Sequence, residues 1–131
     1  MTAVDPVKQG ELLRQALVDH LRSALSSGRF LRDGKRYRID IDEPIKQHIP
    51  EGSSFDRAES VLRHAGFTLD PRPSPGVPSR SPGSEEEFDV QASLGYGREG
   101  GIPCMVSLRP RTPYDYGDVF RVLASCTFIG L

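Results

Sequence analysis

"IPCMVSLRPRTPYDYGDVFRVLASCTF", residues 102–128, holds two alternating apolar runs around one turn. Ile102, Cys104, Val106 and Leu108 share one side of the first run, opposed by Ser107 and Arg109. Phe120, Val122, Ala124, Cys126 and Phe128 repeat the pattern in the second. Such alternation marks half-buried strands. "RPRTPYDYGD" between them has the Pro, Asp and Gly of a turn. Paired residue numbers in an antiparallel hairpin share a constant sum, and Cys104 with Cys126 centres that sum on Asp115, mid-turn. The two cysteines are therefore expected opposite each other, or one diagonal step apart, on the core face. Val119, Leu123 and Ile129 take the other face of the second strand. Apolar residues on both faces indicate a strand that is covered on both sides or central.

Upstream, Phe88, Val90, Ala92, Leu94 and Tyr96 alternate with Asp89, Gln91 and Ser93, and "GYGREGG" at 95–101 turns the chain into the hairpin. The result is a three-stranded meander. Ahead of it lies "PRPSPGVPSRSPGSEEE", residues 71–87, with five of the chain's eleven prolines, two glycines and four serines. A segment this poor in apolar residues cannot offset its ordering entropy. The expectation is a mobile loop, exposed and without regular secondary structure from Arg72 to Ser84.

Two helices precede the loop. Asp5-Pro6 is an N-cap followed by a residue pre-set for the first turn. Leu13, Ala16, Leu17, Leu21, Ala24 and Leu25 then form one stripe, and Gly28 ends it. Gly10 weakens the start, so the firm helix is expected at about 11–27. In "IPEGSSFDRAESVLRHAGF", residues 49–67, Ser53 and Asp56 form a capping-box pattern. Phe55, Ala58, Leu62 and Ala65 share a face, with Val61 beside them. Gly66 and Phe67 read as a Schellman stop, and Phe67–Leu69 as a short strand. Every conspicuous residue of this stretch has a structural role. The helix that ends at Gly66, followed by a meander, resembles small bacterial helix-plus-sheet modules of inhibitor and envelope-assembly proteins. The likeness covers a short span and carries no diagnostic motif.

Between the helices, Asp33-Gly34 signals a two-residue hairpin turn. Tyr37, Ile39 and Ile41 alternate with Arg38, Asp40 and Asp42, while Glu43-Pro44 and Ile49-Pro50 indicate an irregular connection. The fold class is α+β: one domain over 1–131, two helices packed on one face of a mainly antiparallel sheet ending in a three-stranded meander.

A chain of 131 residues with 37% hydrophobic content, no Trp and a net charge of −1 favours no class of partner through bulk charge. "MTAVDPVKQG" is no secretory signal, and no stretch approaches the roughly 18 apolar residues of a membrane span. The protein is therefore expected in the cytoplasm, away from membranes. There, Cys104 and Cys126 are expected to be buried free thiols.

The chemistry-bearing residues form no catalytic or metal-binding constellation. His20 lies on the apolar stripe and reads as a hydrogen-bonded core histidine. His48 and His64 stand apart, without the spacing that places two nitrogens on one metal. "GYGREGG" opens no helix, so it lacks the positive helix end of a phosphate loop. No cofactor is expected, and an enzymatic role, which would need His48 or His64 to line a pocket, is disfavoured. The basic run Arg29, Arg32, Lys35, Arg36 and Arg38, with Tyr37 interleaved, could contact phosphates and bases, although Asp40, Asp42 and Glu43 partly cancel its field. Arg109 and Arg121 fall opposite each other on the polar sheet face, where like charges are unfavourable. Glu85, Glu86, Glu87 and Asp89 supply a candidate acid. These residues indicate a small protein-binding module of the inhibitor or immunity type. Its contact residues would be Arg109, Arg111, Tyr114, Tyr116 and Arg121, the residue types that anchor interfaces, and its partner another protein. A nucleic-acid binder using the 29–38 hairpin is the alternative.

Overall fold

The computed structural model describes residues 4–77, 81–95 and 102–129. Helix α1 (Pro6–Ser27) leads through β1 (Leu31–Asp33) and β2 (Arg36–Asp40) to α2 (Asp42–His48) and α3 (Phe55–His64). Strands β3 (Thr68–Leu69), β4 (Val90–Leu94), β5 (Cys104–Pro110) and β6 (Val119–Ile129) follow. Among the described residues the strands form one six-stranded antiparallel sheet in the order β1-β2-β6-β5-β4-β3.

The α+β class and the helix-on-sheet layering hold, with three helices among the described residues where two are expected. Residues 42–48 are helical because Pro44 stands in the first turn of α2, where no intrahelical bond needs its missing N–H. The expected irregular connection is thus confined to the segment around Pro50. Gly10 also departs from expectation. It is buried within α1, and a Cβ built on it would lie 2.5 Å from the His64 Cβ and 2.8 Å from the Val61 carbonyl oxygen. The glycine lets α1 and α3 approach closely, so the helix begins at Pro6 and not at residue 11.

The caps follow local chemistry. Asp5 accepts hydrogen bonds from the Val7 and Lys8 amides at 2.8 and 3.1 Å. Ser54, one residue later than expected, caps α3 by accepting from the Arg57 amide. Ser53 instead donates to the Pro50 carbonyl. At the other end Phe67 N–H reaches the Leu62 carbonyl and Gly66 N–H the Arg63 carbonyl, the expected Schellman pair, with Gly66 at φ 100°.

One core fills the space between helices and sheet. Leu13, Leu17, Ile45, Phe55, Val61 and Leu62 meet Ile39, Val90, Val106, Leu108, Val122 and Cys126 there. The hairpin register is the expected one: Cys104 stands directly opposite Cys126. Thr127 N–H bonds to the Pro103 carbonyl, so the adjacent cysteine pair occupies a non-hydrogen-bonded position, where opposed Cα atoms are closest. Their Cα atoms are 3.9 Å apart and the sulfurs form a disulfide. The expectation of free thiols is therefore overturned, while that of burial holds.

The register shifts between Arg109 and Pro110, where Pro110 pairs with Val119 instead of Phe120. The extra residue reverses the expected phase. Val119 turns into the core and Phe120 out to solvent. β6 is central, between β2 and β5, but its Leu123 lies on an open face.

Beyond Asp40, β2 no longer covers β6, and side chains substitute for a strand. Ala124 N–H donates to Asp42 Oδ1 at 2.6 Å and Val122 N–H to Glu51 Oε2 at 2.9 Å. Gly52 and Ser53 exchange backbone bonds with Val119, both at 2.7 Å. Backbone polar groups on a central strand need partners, and two carboxylates meet that need where the neighbouring chain has become helix α2.

The described residues of 71–87 form turns without helix or strand, including a tight one closed by Ser74 and Val77. Most are exposed, but Pro73 is buried and Arg72 half-buried. Of the turn expected at 95–101, residues 96–101, Tyr96 among them, lie outside the described residues.

Candidate functional site

With the helices on one face, the other face of the sheet is open. Strand register arranges its side chains in rows. Arg109 on β5 pairs with Arg121 on β6, and Asp89, one residue before Val90, comes level with Arg109. The next row is Gln91, Ser107 and Leu123, and the next Ser93, Met105, Ser125 and Asp40. A groove of about 560 Å³ lies over the middle rows. Gln91 and Ser107 form its floor, Met105 and Leu123 its apolar sides, and Asp40, Asp42 and Glu86 part of its walls. Glu86 is brought there by the turn ahead of β4, and Gln91 donates its side-chain N–H to Glu86 Oε2 at 3.2 Å.

The expected contact residues divide into two groups. Arg109 is engaged within the fold: its guanidinium holds both oxygens of Asp89, at 3.0 and 3.1 Å. Asp89 is buried, and burial pushes its carboxyl above the usual range by more than the Arg109 bonds hold it down. Arg109 is in turn held further toward its charged form by that bond. Tyr116 is also engaged. Its hydroxyl donates to the Phe88 carbonyl at 2.9 Å, its ring meets Phe55 edge-on, and burial raises its pKa. Arg121, Arg111 and Tyr114 are exposed. Arg111 sits over the Phe120 ring at 4.7 Å. Tyr114 packs edge-on against Phe88 and holds φ at 65°, an unusual backbone state for a bulky residue.

The basic hairpin does not present one face. The turn is Gly34-Lys35, one residue past the expected Asp33-Gly34, because Asp33 still pairs with Arg36. Alternation puts Arg36 and Arg38 on the opposite side from Tyr37 and Arg32. Arg38 lies 3.5 Å from Asp40. Arg29 donates to the hydroxyls of Ser23 and Ser27, and Arg32 to the Gly34 carbonyl. The Tyr37 ring is stacked on Phe128 and meets Phe30 edge-on. Its contacts are internal, and the cations around it are divided between two sides.

The histidines act locally. His20 Nε2 donates to the Asp40 carbonyl at 2.9 Å, the core-histidine role expected of it. His48 pairs with the Gln9 side chain, and burial lowers its pKa. Among the described residues no group of three or more His, Cys, Asp or Glu could hold a metal ion, and no helix is long and apolar enough to cross a membrane.

Arg72 is the residue that sequence reasoning missed. It bonds Glu59 through Nε at 2.9 Å and Nη2 at 2.5 Å, and Asp56 at 2.8 Å. It also lies against the rings of Phe55 and Tyr116. Glu59 is almost fully buried, so this one arginine fastens the proline-rich segment to α3. An acid on the otherwise apolar face of that helix was the available signal.

Comparison of the chain with protein-family models, with curated proteins and with solved structures finds no match.

Proposed function

We propose that this protein is a non-enzymatic protein-binding module, of the inhibitor or immunity type, that receives its partner on the open face of the sheet. The observation that carries the reading is the one-sided layering. The helices cover one face, and the other keeps a groove whose sides include the exposed Met105 and Leu123. Phe120, Arg111, Arg121 and Tyr114 extend the exposed contact area beside it. Large apolar side chains within a polar surround suit a protein interface better than a small-molecule cleft.

Affinity capture from the native host lysate tests the reading, with nuclease-treated and untreated arms. The wild-type chain should retain a protein in both arms, and Leu123→Glu should lose it while remaining folded. Loss of the captured material on nuclease treatment would favour the 29–38 hairpin and a nucleic-acid partner. Capture indifferent to Leu123→Glu would move the interface off this face.

A further inference from the structure

We propose that the groove on the open sheet face is a receptor for an arginine side chain presented by the partner protein. The proposal rests on the protein-binding reading and names the chemistry of what binds.

Three features converge. The groove lining carries the carboxylates of Asp40, Asp42 and Glu86 against a single guanidinium, that of Arg38, which already faces Asp40 at 3.5 Å. Ser107 on the floor is only 8% exposed, yet its hydroxyl has no hydrogen-bond partner among the described residues. No fully enclosed side-chain oxygen among them lacks a partner. The Ser107 oxygen therefore opens into the groove. Gln91, also 8% exposed, donates its N–H to Glu86, and its side-chain carbonyl oxygen has no hydrogen-bond partner among the described residues. The third feature is the pair of apolar sides, Met105 and Leu123, level with these acceptors.

An arginine matches this arrangement in both its parts. Its planar guanidinium carries five donors and no acceptor, suited to oxygens spread over a floor and several walls. Its aliphatic stem can lie along Met105 and Leu123. The Ser107 hydroxyl, open to the groove, can accept a charge-assisted hydrogen bond from such a cation. An anion would meet the three carboxylates.

Amide-resolved NMR on the full, disulfide-intact chain tests the proposal. The probe is an acetylated, amidated pentapeptide with arginine at its centre among glycines and serines. The control has citrulline, a neutral isostere, in place of arginine. The arginine peptide should produce saturable shifts at the amides of Gln91, Ser107, Leu123 and Ser125, and the citrulline peptide should not. Ser107→Ala should weaken binding roughly tenfold, the loss expected of one charge-assisted hydrogen bond. It should leave the melting temperature unchanged, because the hydroxyl has no internal partner to lose. Glu86→Gln, which keeps an acceptor for Gln91, should weaken binding as well. Equal shifts from both peptides, absent shifts, or full affinity in Ser107→Ala would overturn the arginine assignment. If Leu123→Glu still abolishes capture of a protein from lysate while the arginine peptide fails, the binding face stands and only its proposed occupant falls.

Discussion

Asp89, just ahead of β4, faces Arg109 on β5, and two parallel hydrogen bonds join the guanidinium to a carboxylate that is 3% exposed. The pair removes the conflict that the register creates by setting Arg109 opposite Arg121. It also makes the two arginines unequal. Arg109→Glu would bury one carboxylate against another and should unfold the protein, at a cost of about 3–5 kcal/mol. Arg121→Glu, at an exposed position, should stay within about 0.5 kcal/mol of wild type. Urea unfolding of the two single variants checks the contrast.

The same pair has a pH signature. Burial raises the Asp89 pKa in the fold, so the native state keeps this proton at pH values where the unfolded chain has released it. In the window just above the ordinary aspartate value the unfolded state therefore binds fewer protons. This group's contribution is full below that value and is lost as pH rises through the folded pKa. Asp89→Asn cannot make that contribution. The difference in stability between wild type and Asp89→Asn should shrink as pH rises through this window, measured by denaturant titration at closely spaced pH values. A growing difference would mean that the Arg109 bonds outweigh burial.

Arg72 and the residues just after it separate anchoring from length. Arg72→Ala leaves the Glu59 carboxylate buried without its cation and should cost about 2–4 kcal/mol. Deleting Ser74–Ser81 spares that anchor and should cost less than about 1 kcal/mol, since loop length itself contributes little. Thermal melts of both variants decide between them. A larger loss from the deletion would mean that the segment is packed beyond its anchor.

What could be read from the chain was local or strictly periodic. The cysteine register needed only a constant sum across one turn, and the Schellman stop at Gly66 only adjacent residues. The open face was legible as the polar phase of the same strands, which placed Gln91, Ser107 and Arg109 there. Long-range substitutions were not legible. Glu51 bonds an amide 71 residues away, and Arg72 finds an acid on a helix that precedes it. The phase reversal at Phe120 depends on a bulge, and a single inserted residue moves every side chain beyond it to the other face. Pro44 misled because the same residue stops a helix in its middle and suits its first turn.

Glu51 predicts how the uncovered part of β6 holds together. Glu51→Ala should leave the Val122 N–H without a partner and cost about 1–3 kcal/mol, whereas Glu51→Gln keeps an acceptor and should recover most of it. Amide hydrogen exchange at Val122 should speed up in the alanine variant alone. Unchanged exchange would show that water or the backbone takes over the bond.

Gly10→Ala sets two effects of opposite sign against each other. Alanine is the better helix former by about 1 kcal/mol, and Gly10 has no positive φ to preserve, so propensity alone favours the change. Packing opposes it. The new Cβ would lie 2.5 Å from the His64 Cβ, 2.7 Å from the His64 carbonyl carbon and 2.8 Å from the Val61 carbonyl oxygen. Two of those three atoms are backbone, so no rotamer change relieves the contact and α1 must move away from α3. Overpacking of this kind costs about 1–3 kcal/mol. It would also loosen the buried contacts of Leu13 and Leu17. Gly10→Ala should therefore destabilise by up to about 2 kcal/mol net, while Gln15→Ala, on the exposed side of the same helix, should be neutral within about 0.5 kcal/mol. Denaturant midpoints of the two variants give the answer. A stabilised Gly10→Ala would mean that the helices do not cross at this glycine.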